Sequence, residues 1–371
     1  MDRCVTCIKI NNMNLYKLLA RPVLFRLPSD RAHELTIRMV SSMNNFVPIT
    51  GLTGLMYKTN TPSLHQKIWG LHFPSPVGLA AGFDKNGTTL NMMEKLGFGF
   101  VEVGSITADS SLGNPKPRSF RLVEDHSLIN RMGLNNDGAK TIIKRLEKVS
   151  LNIPMGINIA KTHSPKISGQ TALDDYKFSY DLAKPIADYV TINISCPNTE
   201  EGKTFEDPET LNRLLNHLEV GSNASDPPVL IKVSVDGEGD QLREIIEVSE
   251  SFAVSGYIAT NTSSNRENLT APANTIDQIG PGGLSGRAIR DKSTEKIRLI
   301  SEITKGEKTV VGVGGIFSAD DAIEKIKAGA DLLQIYTGMI YEGPGIVKRI
   351  NEGIAKHLKR ENLDHIYQLR K

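Results

Sequence analysis

The chain carries a short polar segment, Asn193 to Asn198, directly after an apolar run. Asn193 and Asn198 each supply a carboxamide, which both donates and accepts hydrogen bonds. Between them, Cys196 supplies a thiol, whose ionised form is a base and a nucleophile. The segment therefore combines two groups that can recognise a polar ring with one candidate base.

Similar polar groups follow other apolar runs. Asn130 and Asn261 add carboxamides, whose paired donors and acceptors suit a planar heterocycle with alternating N–H and C=O groups. Lys85 adds a cation that can complement an anionic substituent. Lys232 can stabilise negative charge on a reduced cofactor ring. These residue types indicate a site for a polar ring and a redox cofactor.

Glycine-rich segments near the C-terminus favour phosphate binding. Gly312-Val313-Gly314-Gly315 follows one apolar run, and Tyr336-Thr337-Gly338 follows the next. The bare amides of Gly314 and Gly315 can point at phosphate oxygens, and a short helix N-terminus nearby would add its positive end. Residues 282–286 are expected to supply further flexible backbone. A lone G-x-G-G is weak evidence, but this position is one where barrels commonly bind phosphate.

Eight short apolar runs must position these groups, and helix-length segments separate most of them. The runs are Pro76–Gly82, Phe100–Thr107, Pro154–Ala160, Tyr189–Ser195, Val229–Val235, Gly256–Thr262, Thr309–Gly315 and Leu332–Gly338. This alternation predicts an α/β fold, a (β/α)8 TIM barrel, whose βα loops carry the chemistry. A doubly wound open sheet also alternates strands and helices, but the count of eight favours the barrel.

The chain has 371 residues, more than the roughly 250 of a plain barrel. We expect a disordered start over 1–13, a helical hairpin over 14–59 and the barrel over 60–371. In the hairpin, the first helix presents leucines on one face and is interrupted by Pro22. Ser29 or Asp30 can cap the second helix.

The hairpin also carries basic residues beside its apolar face: Lys17, Arg21, Arg26, Arg31 and Arg38. This combination is typical of a segment that rests on an anionic bilayer surface. A helical lid packed wholly on the barrel would show the same pattern, and the sequence does not decide between the two.

Composition excludes several classes of protein. Hydrophobic residues make up 39% and charged residues 23%, with a net charge of +2, which excludes a disordered chain and gives no sign of nucleic-acid binding. Three cysteines are too few for a disulfide framework and indicate a reducing compartment, and the lone pair Cys4 and Cys7 does not indicate a metal or redox site. No H-x-H, H-E-x-x-H or G-x-S-x-G motif is present, so we expect no metal site.

Taken in order, the motifs resemble those of the FMN-dependent dihydroorotate dehydrogenases over roughly Tyr16 to Ile350. They are L-A-A-G-F-D-K (79–85), L-I-N-R-M-G (128–133), N-I-S-C-P-N-T (193–199), A-T-N-T (259–262), G-G-L-S-G (282–286) and G-V-G-G-I (312–316). The hairpin, with R-A-H-E at 31–34, is similar to that of the class 2 enzymes, which associate with membranes and pass electrons to a quinone.

The resemblance implies oxidation of (S)-dihydroorotate to orotate in de novo pyrimidine (UMP) biosynthesis, with one FMN per chain. A base removes the C5 proton while hydride passes from C6 to flavin N5, and a quinone then takes the electrons. The implied catalytic base is Cys196. The implied substrate contacts are Lys85, Asn130, Arg131, Met132, Gly133, Leu134, Asn193, Asn198, Asn261 and Thr262. The implied FMN contacts are Ala80, Ala81, Gly82, Gly104, Ser105, Asn158, Asn193, Lys232, Thr260, Ser285, Gly286, Gly314, Gly315, Tyr336 and Thr337. The implied quinone contacts are His33, Arg121 and Tyr336.

Cys196 departs from the class 2 pattern, which usually has Ser, and matches the class 1 base. A thiol with a pKa of about 8.5 is partly ionised at neutral pH, whereas a serine hydroxyl is not. The rate profile is therefore expected to inflect at lower pH than that of a Ser variant. Leu134 stands where the family usually has Phe, and Ala160 replaces a common Gly, so looser substrate packing is expected.

Three other functions fit parts of the sequence. A class 1-type enzyme using fumarate or NAD fits Cys196, but the hairpin argues against it. An FMN-dependent tRNA dihydrouridine synthase also uses a Cys, yet it needs a basic RNA-binding surface that a net charge of +2 does not offer. A non-catalytic barrel is the third alternative. We expect a monomer that binds peripherally to a cell membrane. We expect it on the cytoplasmic side, because the start of the chain is poor in the Arg and Ser residues that are typical of a mitochondrial transit peptide.

Overall fold

The computed structural model describes residues 14–195 and 204–370. Its centre is a closed barrel in which each parallel strand neighbours the next along the chain, and the last pairs with the first through Leu333 and Val77. The barrel strands are Val77–Leu79, Val101–Ile106, Met155–Ile159, Tyr189–Asn193, Val229–Val233, Gly256–Ala259, Thr309–Val313 and Leu332–Ile335. Each lies within one of the eight predicted runs, so the predicted (β/α)8 barrel is confirmed.

Helices surround the barrel. They are Leu90–Lys95, Ala139–Leu146, Gly169–Ala183, Pro208–His217, Gly239–Glu250, Ala273–Ile279, Arg290–Ile303, Ala319–Lys327, Thr337–Glu342 and Ile346–Arg360. Pro208–His217 illustrates why they form: Asp207 accepts a hydrogen bond from the Thr210 amide at 2.9 Å, and proline occupies the first helical position. Its buried leucines, Leu211, Leu214 and Leu215, recur at helical spacing and face the strands.

Aromatic side chains close the N-terminal end of the barrel. A hairpin of the strands Gln66–Ile68 and Leu71–Phe73 lies there, with Trp69 at its turn. The ring of Phe73 meets that of Phe100 edge-on at 5.5 Å, and Trp69 lies 5.8 Å from Tyr189. This end is therefore filled, which leaves the C-terminal end for a ligand.

The N-terminal region contains three helices where two were predicted, because the first helix consists of two consecutive segments and a third helix follows the second. Its helical segments are Tyr16–Ala20, with π-helical winding, Arg21–Arg26, Ser29–Met43 and Val47–Tyr57. Pro22 does not end the first helix, which continues to Arg26. The winding changes from π to α at Arg21, next to Pro22, whose nitrogen has no hydrogen to donate to a helical hydrogen bond. None of the helices in the described ranges is long and apolar enough to cross a membrane.

The predicted cap of the second helix is wrong. Ser29 is its first residue, and neither Ser29 nor Asp30 caps it through a side chain. The Asp30 carboxylate is buried and instead accepts a hydrogen bond from the backbone N–H of Arg118 at 2.9 Å. Arg118 lies in the segment between the strands Val101–Ile106 and Met155–Ile159, which we call the barrel insertion. The carboxylate that could have capped the helix thus binds the barrel insertion instead.

A small antiparallel sheet covers the C-terminal end of the barrel. Its strands are Ser119–Leu122, Ser127–Asn130 and Gly283–Gly286, and Gly283 lies opposite Asn130. The glycine segment that was expected to be flexible is thus a strand. Gly286 adopts a φ of 98°, and a Cβ there would lie 2.6 Å from the carbonyl oxygen of His126, so only glycine fits.

Candidate active site

A cavity of about 490 Å³ lies between the C-terminal ends of the barrel strands, the small sheet and the N-terminal helices. Its size suits a cofactor and a small substrate. The structure places these predicted residues on its walls: His33, Ala80, Ala81, Gly82, Lys85, Ser105, Arg121, Asn130, Met132, Leu134, Asn193, Lys232, Thr260, Asn261, Thr262, Ser285, Gly286, Gly314, Gly315, Tyr336 and Thr337. Cys196 and Asn198 lie outside the described residues.

Four predicted residues lie behind the cavity wall. Asn158 is fully buried beneath Ser105, and the Gly104 carbonyl accepts a hydrogen bond from the Gly82 amide at 2.5 Å. The Arg131 guanidinium turns away to the carbonyls of Ile279 and Pro117. Gly133 holds a turn at φ 70°, where a Cβ would lie 2.6 Å from the Asn114 amide nitrogen. These four residues support the cavity wall from behind and do not line it.

Hydrogen bonds join carboxamides at the ends of the third, fourth and sixth barrel strands. The Ser105 hydroxyl donates to Asn158 Oδ1 at 2.5 Å and accepts from Asn193 Nδ2 at 3.1 Å. Asn193 Oδ1 in turn accepts from Asn261 Nδ2 at 3.2 Å. Because parallel strands end at one edge of a barrel, residues far apart in sequence form one polar surface here.

Sequence reasoning missed a buried carboxylate below this surface. Glu102, with 1% of its surface exposed, accepts hydrogen bonds from Asn158 Nδ2 at 2.8 Å, Gln334 Nε2 at 2.7 Å and the Tyr189 hydroxyl at 3.2 Å. The available signal was a charged residue within an otherwise apolar run, Phe100–Thr107. Such a residue is rarely buried unless it has partners.

The opposite wall carries glycines and hydroxyls. Gly314 and Gly315 have φ values of 124° and 69°, and a Cβ on Gly315 would lie 2.7 Å from the Arg290 Cα. Ser285 and Thr337 hydrogen-bond to each other through their hydroxyls at 2.9 Å. Backbone amides of glycines beside hydroxyl groups suit the oxygens of a phosphate.

Lys85 brings positive charge to the cavity. Its ammonium group donates to the Gly82 carbonyl at 2.7 Å. Burial and the nearby Arg118 guanidinium lower its pKa to about 8, although the carboxylates of Asp84 and Asp30 oppose the change. Lys85 is therefore mainly protonated at neutral pH and can bind an anion.

On the helical side, His33 meets the ring of Phe83 edge-on at 5.5 Å, and Phe83 meets Tyr336 in the same way at 5.5 Å. Burial, followed by the charges of Lys85 and Arg118, lowers the pKa of His33 to about 3. His33 is therefore neutral at physiological pH. The Arg121 guanidinium binds backbone carbonyls at the end of the helix Arg21–Arg26.

Comparison with known families settles the classification. A family model described as dihydroorotate dehydrogenase matches residues 63–358. The chain belongs to the dihydroorotate dehydrogenase family. The resemblance in the motifs is thereby confirmed, and family membership implies a flavin cofactor.

Relatives match over almost their whole length. The chain is 40% identical to a dihydroorotate dehydrogenase (quinone) of Nostoc punctiforme, over 95% of this chain and 97% of that protein. It is 40% identical to one of Gloeobacter violaceus, over 96% and 98%. A crystal structure of DHODH from Eimeria tenella in complex with ferulenol superposes with a TM-score of 0.81 at 30% identity, covering 94% of this chain and 97% of that one.

The cavity residues fit the flavin of a dihydroorotate dehydrogenase. Glycine amides and hydroxyls stand on one wall, and carboxamides with the buried Lys232 stand on the other. Gln334 lines the cavity and is fully buried, and its Oε1 has no hydrogen-bond partner within the described structure. A buried acceptor of this kind calls for a donor, which the N–H of a bound ring would supply.

Proposed function

We propose that the protein oxidises (S)-dihydroorotate to orotate with FMN as prosthetic group and a quinone as electron acceptor, in pyrimidine biosynthesis. The observation that carries this proposal is a single cavity. It joins the linked carboxamides and Lys85 at the barrel end to the apolar inner face of the N-terminal helices. A site built in this way can hold a polar substrate and an apolar electron acceptor on either side of one flavin.

FMN supplies a two-electron acceptor when bound. The amides of Gly314 and Gly315 and the hydroxyls of Ser285 and Thr337 would hold its phosphate, because they combine donors with room for the group. Asn158, Asn193 and Lys232 would bind its ring. The charge of Lys232 would also stabilise the ring when it carries extra electrons.

The chain's own groups would orient dihydroorotate. Lys85 offers an ammonium for the substrate carboxylate, a charge-assisted contact stronger than a neutral hydrogen bond. Asn130, Asn193 and Asn261 offer the mixed donors and acceptors that the amide groups of its ring require. Asn130 Nδ2 already donates to the Gly283 carbonyl at 3.2 Å, which holds it on the small sheet.

Cys196 is the base in this proposal and takes the C5 proton as its thiolate. A thiol ionises far more readily than a serine hydroxyl, so it needs less help from neighbours near neutral pH. Taking the proton converts the thiolate into the neutral thiol, which gives the proton to solvent after orotate is released, so that the base is restored.

The quinone would reach the cavity from a membrane on which the N-terminal helices rest. These helices expose an apolar surface that water disfavours, made by Leu15, Leu18, Leu19, Val23, Leu35, Met39, Phe46, Val47, Leu52, Leu55 and Met56. Arg26, Arg31 and Arg38 are exposed beside it and suit anionic headgroups. We propose that the protein binds peripherally, as a monomer, to the cytoplasmic face of a cell membrane. The neutral His33, together with Arg121 and Tyr336, would contact the quinone.

The proposal is tested on the purified protein. Its flavin spectrum is recorded, dihydroorotate is added without oxygen, and the reduced protein is mixed with a short-chain quinone, fumarate or NAD. Bleaching by dihydroorotate followed by reoxidation with quinone alone is the expected result. Reoxidation by fumarate or NAD would instead establish a class 1-type acceptor, and a flavin that dihydroorotate does not bleach would refute the proposal.

A further inference from the structure

The buried Glu102 carboxylate lies at the foot of a continuous chain of hydrogen bonds that reaches the substrate side of the cavity. The chain runs from Glu102 through Asn158, Ser105 and Asn193 to Asn261. Its links measure 2.8, 2.5, 3.1 and 3.2 Å in that order. Glu102 itself does not line the cavity, so it can act on a ligand only through these neighbours.

The direction of every bond in this chain follows from the chemistry of its first member. An ionised carboxylate only accepts hydrogen bonds, so Asn158 must turn its amino group to Glu102 and its oxygen to Ser105. The Ser105 hydroxyl has a single proton, which it gives to that oxygen, and it must therefore accept from Asn193. Asn193 is then left with its oxygen facing Asn261.

The same carboxylate orients a second carboxamide under the cavity. Gln334 donates to Glu102 through Nε2 at 2.7 Å, which leaves its Oε1 without a partner in the described structure. Gln334 is fully buried and lines the cavity, so this acceptor lies beside the place that a bound ring would take. A buried acceptor left unpaired is unfavourable, so a ring N–H that reaches it would bind there favourably.

We infer that Glu102 is a positioning residue that fixes which atoms of Asn158, Ser105, Asn193, Asn261 and Gln334 donate and which accept. It thereby sets the hydrogen-bonding pattern that the cavity offers to the flavin ring and to dihydroorotate. This inference rests on the proposed function. It goes beyond it by giving a role to a residue that touches neither ligand.

Glu102→Gln is the decisive variant, since it keeps the size of the side chain but adds a donor. One of the three donors around Glu102 would then face an amino group, and Asn158 would regain its bond only by rotating its carboxamide. That rotation would reverse the Ser105 bond and the orientation of Asn193. We expect a variant that folds and retains flavin, shows a shifted visible flavin spectrum, and binds orotate about tenfold or more weakly.

Glu94→Gln is the matched control. Glu94 is also buried, at 2% exposure, but it lies on the outer helix Leu90–Lys95 and pairs with Lys58 and Lys95. We expect this variant to lose stability while its flavin spectrum and orotate affinity remain those of the wild type. Glu102→Asp, which restores an acceptor-only group, is expected to recover the wild-type spectrum.

The measurements are the melting temperature, the visible spectrum, and the dissociation constant of orotate from the change in flavin absorption. If Glu102→Gln melts earlier but keeps the wild-type spectrum and orotate affinity, Glu102 is only structural and the inference is overturned. If Glu102→Gln does not fold, Ser105→Ala is used instead, because it breaks the chain of hydrogen bonds above the carboxylate. An unchanged orotate affinity of the flavin-loaded Ser105→Ala variant would also overturn the inference.

The two proposals fail in different ways. Wild-type flavin that dihydroorotate does not bleach refutes the proposed function, whatever the variants do. The comparison of flavin spectra between wild type, Glu102→Gln and Glu102→Asp still decides the role of Glu102 in that case.

Discussion

Arg121 donates two hydrogen bonds to the carbonyl oxygen of Leu27, each 3.0 Å long. It also reaches the carbonyls of Phe25 and Leu24, at 3.1 and 3.3 Å, where the helix Arg21–Arg26 ends. The last carbonyls of a helix lack partners within it and favour a cation. Because Arg121 belongs to the strand Ser119–Leu122, it joins the N-terminal helices to the sheet above the cavity.

Arg121→Ala is expected to slow reoxidation of the reduced flavin by quinone and to raise the apparent KM for quinone. Hydrogen bonds to a charged group contribute about 1.5 to 3 kcal/mol, and their loss would release the helix end beside the cavity. Bleaching by dihydroorotate should stay within about twofold of wild type. Stopped-flow spectroscopy measures the two steps separately. Arg370→Ala, which removes an ion pair with Asp331 elsewhere on the barrel, should change neither step.

Leu52→Ser combined with Leu55→Ser should weaken binding to anionic lipid vesicles. These side chains of the helix Val47–Tyr57 are 60% and 85% exposed, and burying a leucine in the bilayer contributes about 1.5 to 3 kcal/mol. Sedimentation with vesicles should show at least about a tenfold loss of affinity. Leu112→Ser is the control, because Leu112 is 93% exposed but lies on the barrel insertion. Equal losses in both variants would disprove a role for this helix.

Orotate affinity should fall as the pH rises above about 8, because Lys85 then loses its charge. Its pKa is lowered in the free protein, and a bound anion would raise it again, so binding favours the protonated form. Titrations followed by flavin absorption measure this directly. Lys85→Met should bind orotate weakly with no such dependence, whereas Cys196→Ser should keep it. A Lys85→Met variant that retains the wild-type pH dependence would assign it to another group.

Cys196→Ser should slow flavin reduction near neutral pH and move the inflection of its rate profile to higher pH. A positioned base contributes about 10² to 10⁴ in rate, and serine is a much poorer one without help. Single-turnover reduction by dihydroorotate, measured across the pH range, gives the inflection. An unmoved profile would mean that the thiol is not the base.

Glu94→Gln should lower the free energy of unfolding by roughly 2 to 3 kcal/mol at neutral pH. Burial alone would raise the pKa of Glu94, but the amide of Asn152 and the ammonium groups of Lys58 and Lys95 lower it to about 2. A carboxyl whose pKa is lower in the folded state stabilises the fold above its unfolded pKa, near 4.5, and loses this effect as the pH falls towards 2. Urea unfolding should therefore show the two proteins converging in acid.

The barrel was predictable because strands buried on both faces read as continuous apolar runs. The helix Val47–Tyr57 was missed for the opposite reason: its sequence, VPITGLTGLMY, has no charged face to create a helical period. Asp30 satisfied the pattern of a cap, yet it binds Arg118, a contact between residues 88 positions apart. Sequence rules that use only neighbouring residues cannot predict such long-range contacts.

The cavity wall was largely predictable because a barrel gathers its strand ends at one face. Glu102 and Gln334 were not predicted, since they lie within the strands and meet across 232 positions of sequence. The pairing of the small sheet was missed because each of its strands is only four residues long, and Gly283–Gly286 alone reads as a glycine-rich loop. Whether Cys196 and Asn198 complete the site stays a prediction.

The sheet above the cavity also bears on how the protein is made. Asn130 and Gly283 bond to each other although 153 positions separate them. Contacts of such separation form late, because the long intervening loop must first be closed. Several barrel strands lie within that loop, and its last residues belong to the final third of the chain. A chain emerging from the ribosome can therefore acquire its barrel helices one after another, but the small sheet can form only after Gly286, and the pocket below it closes only when the last barrel strand, Leu332–Ile335, has been made.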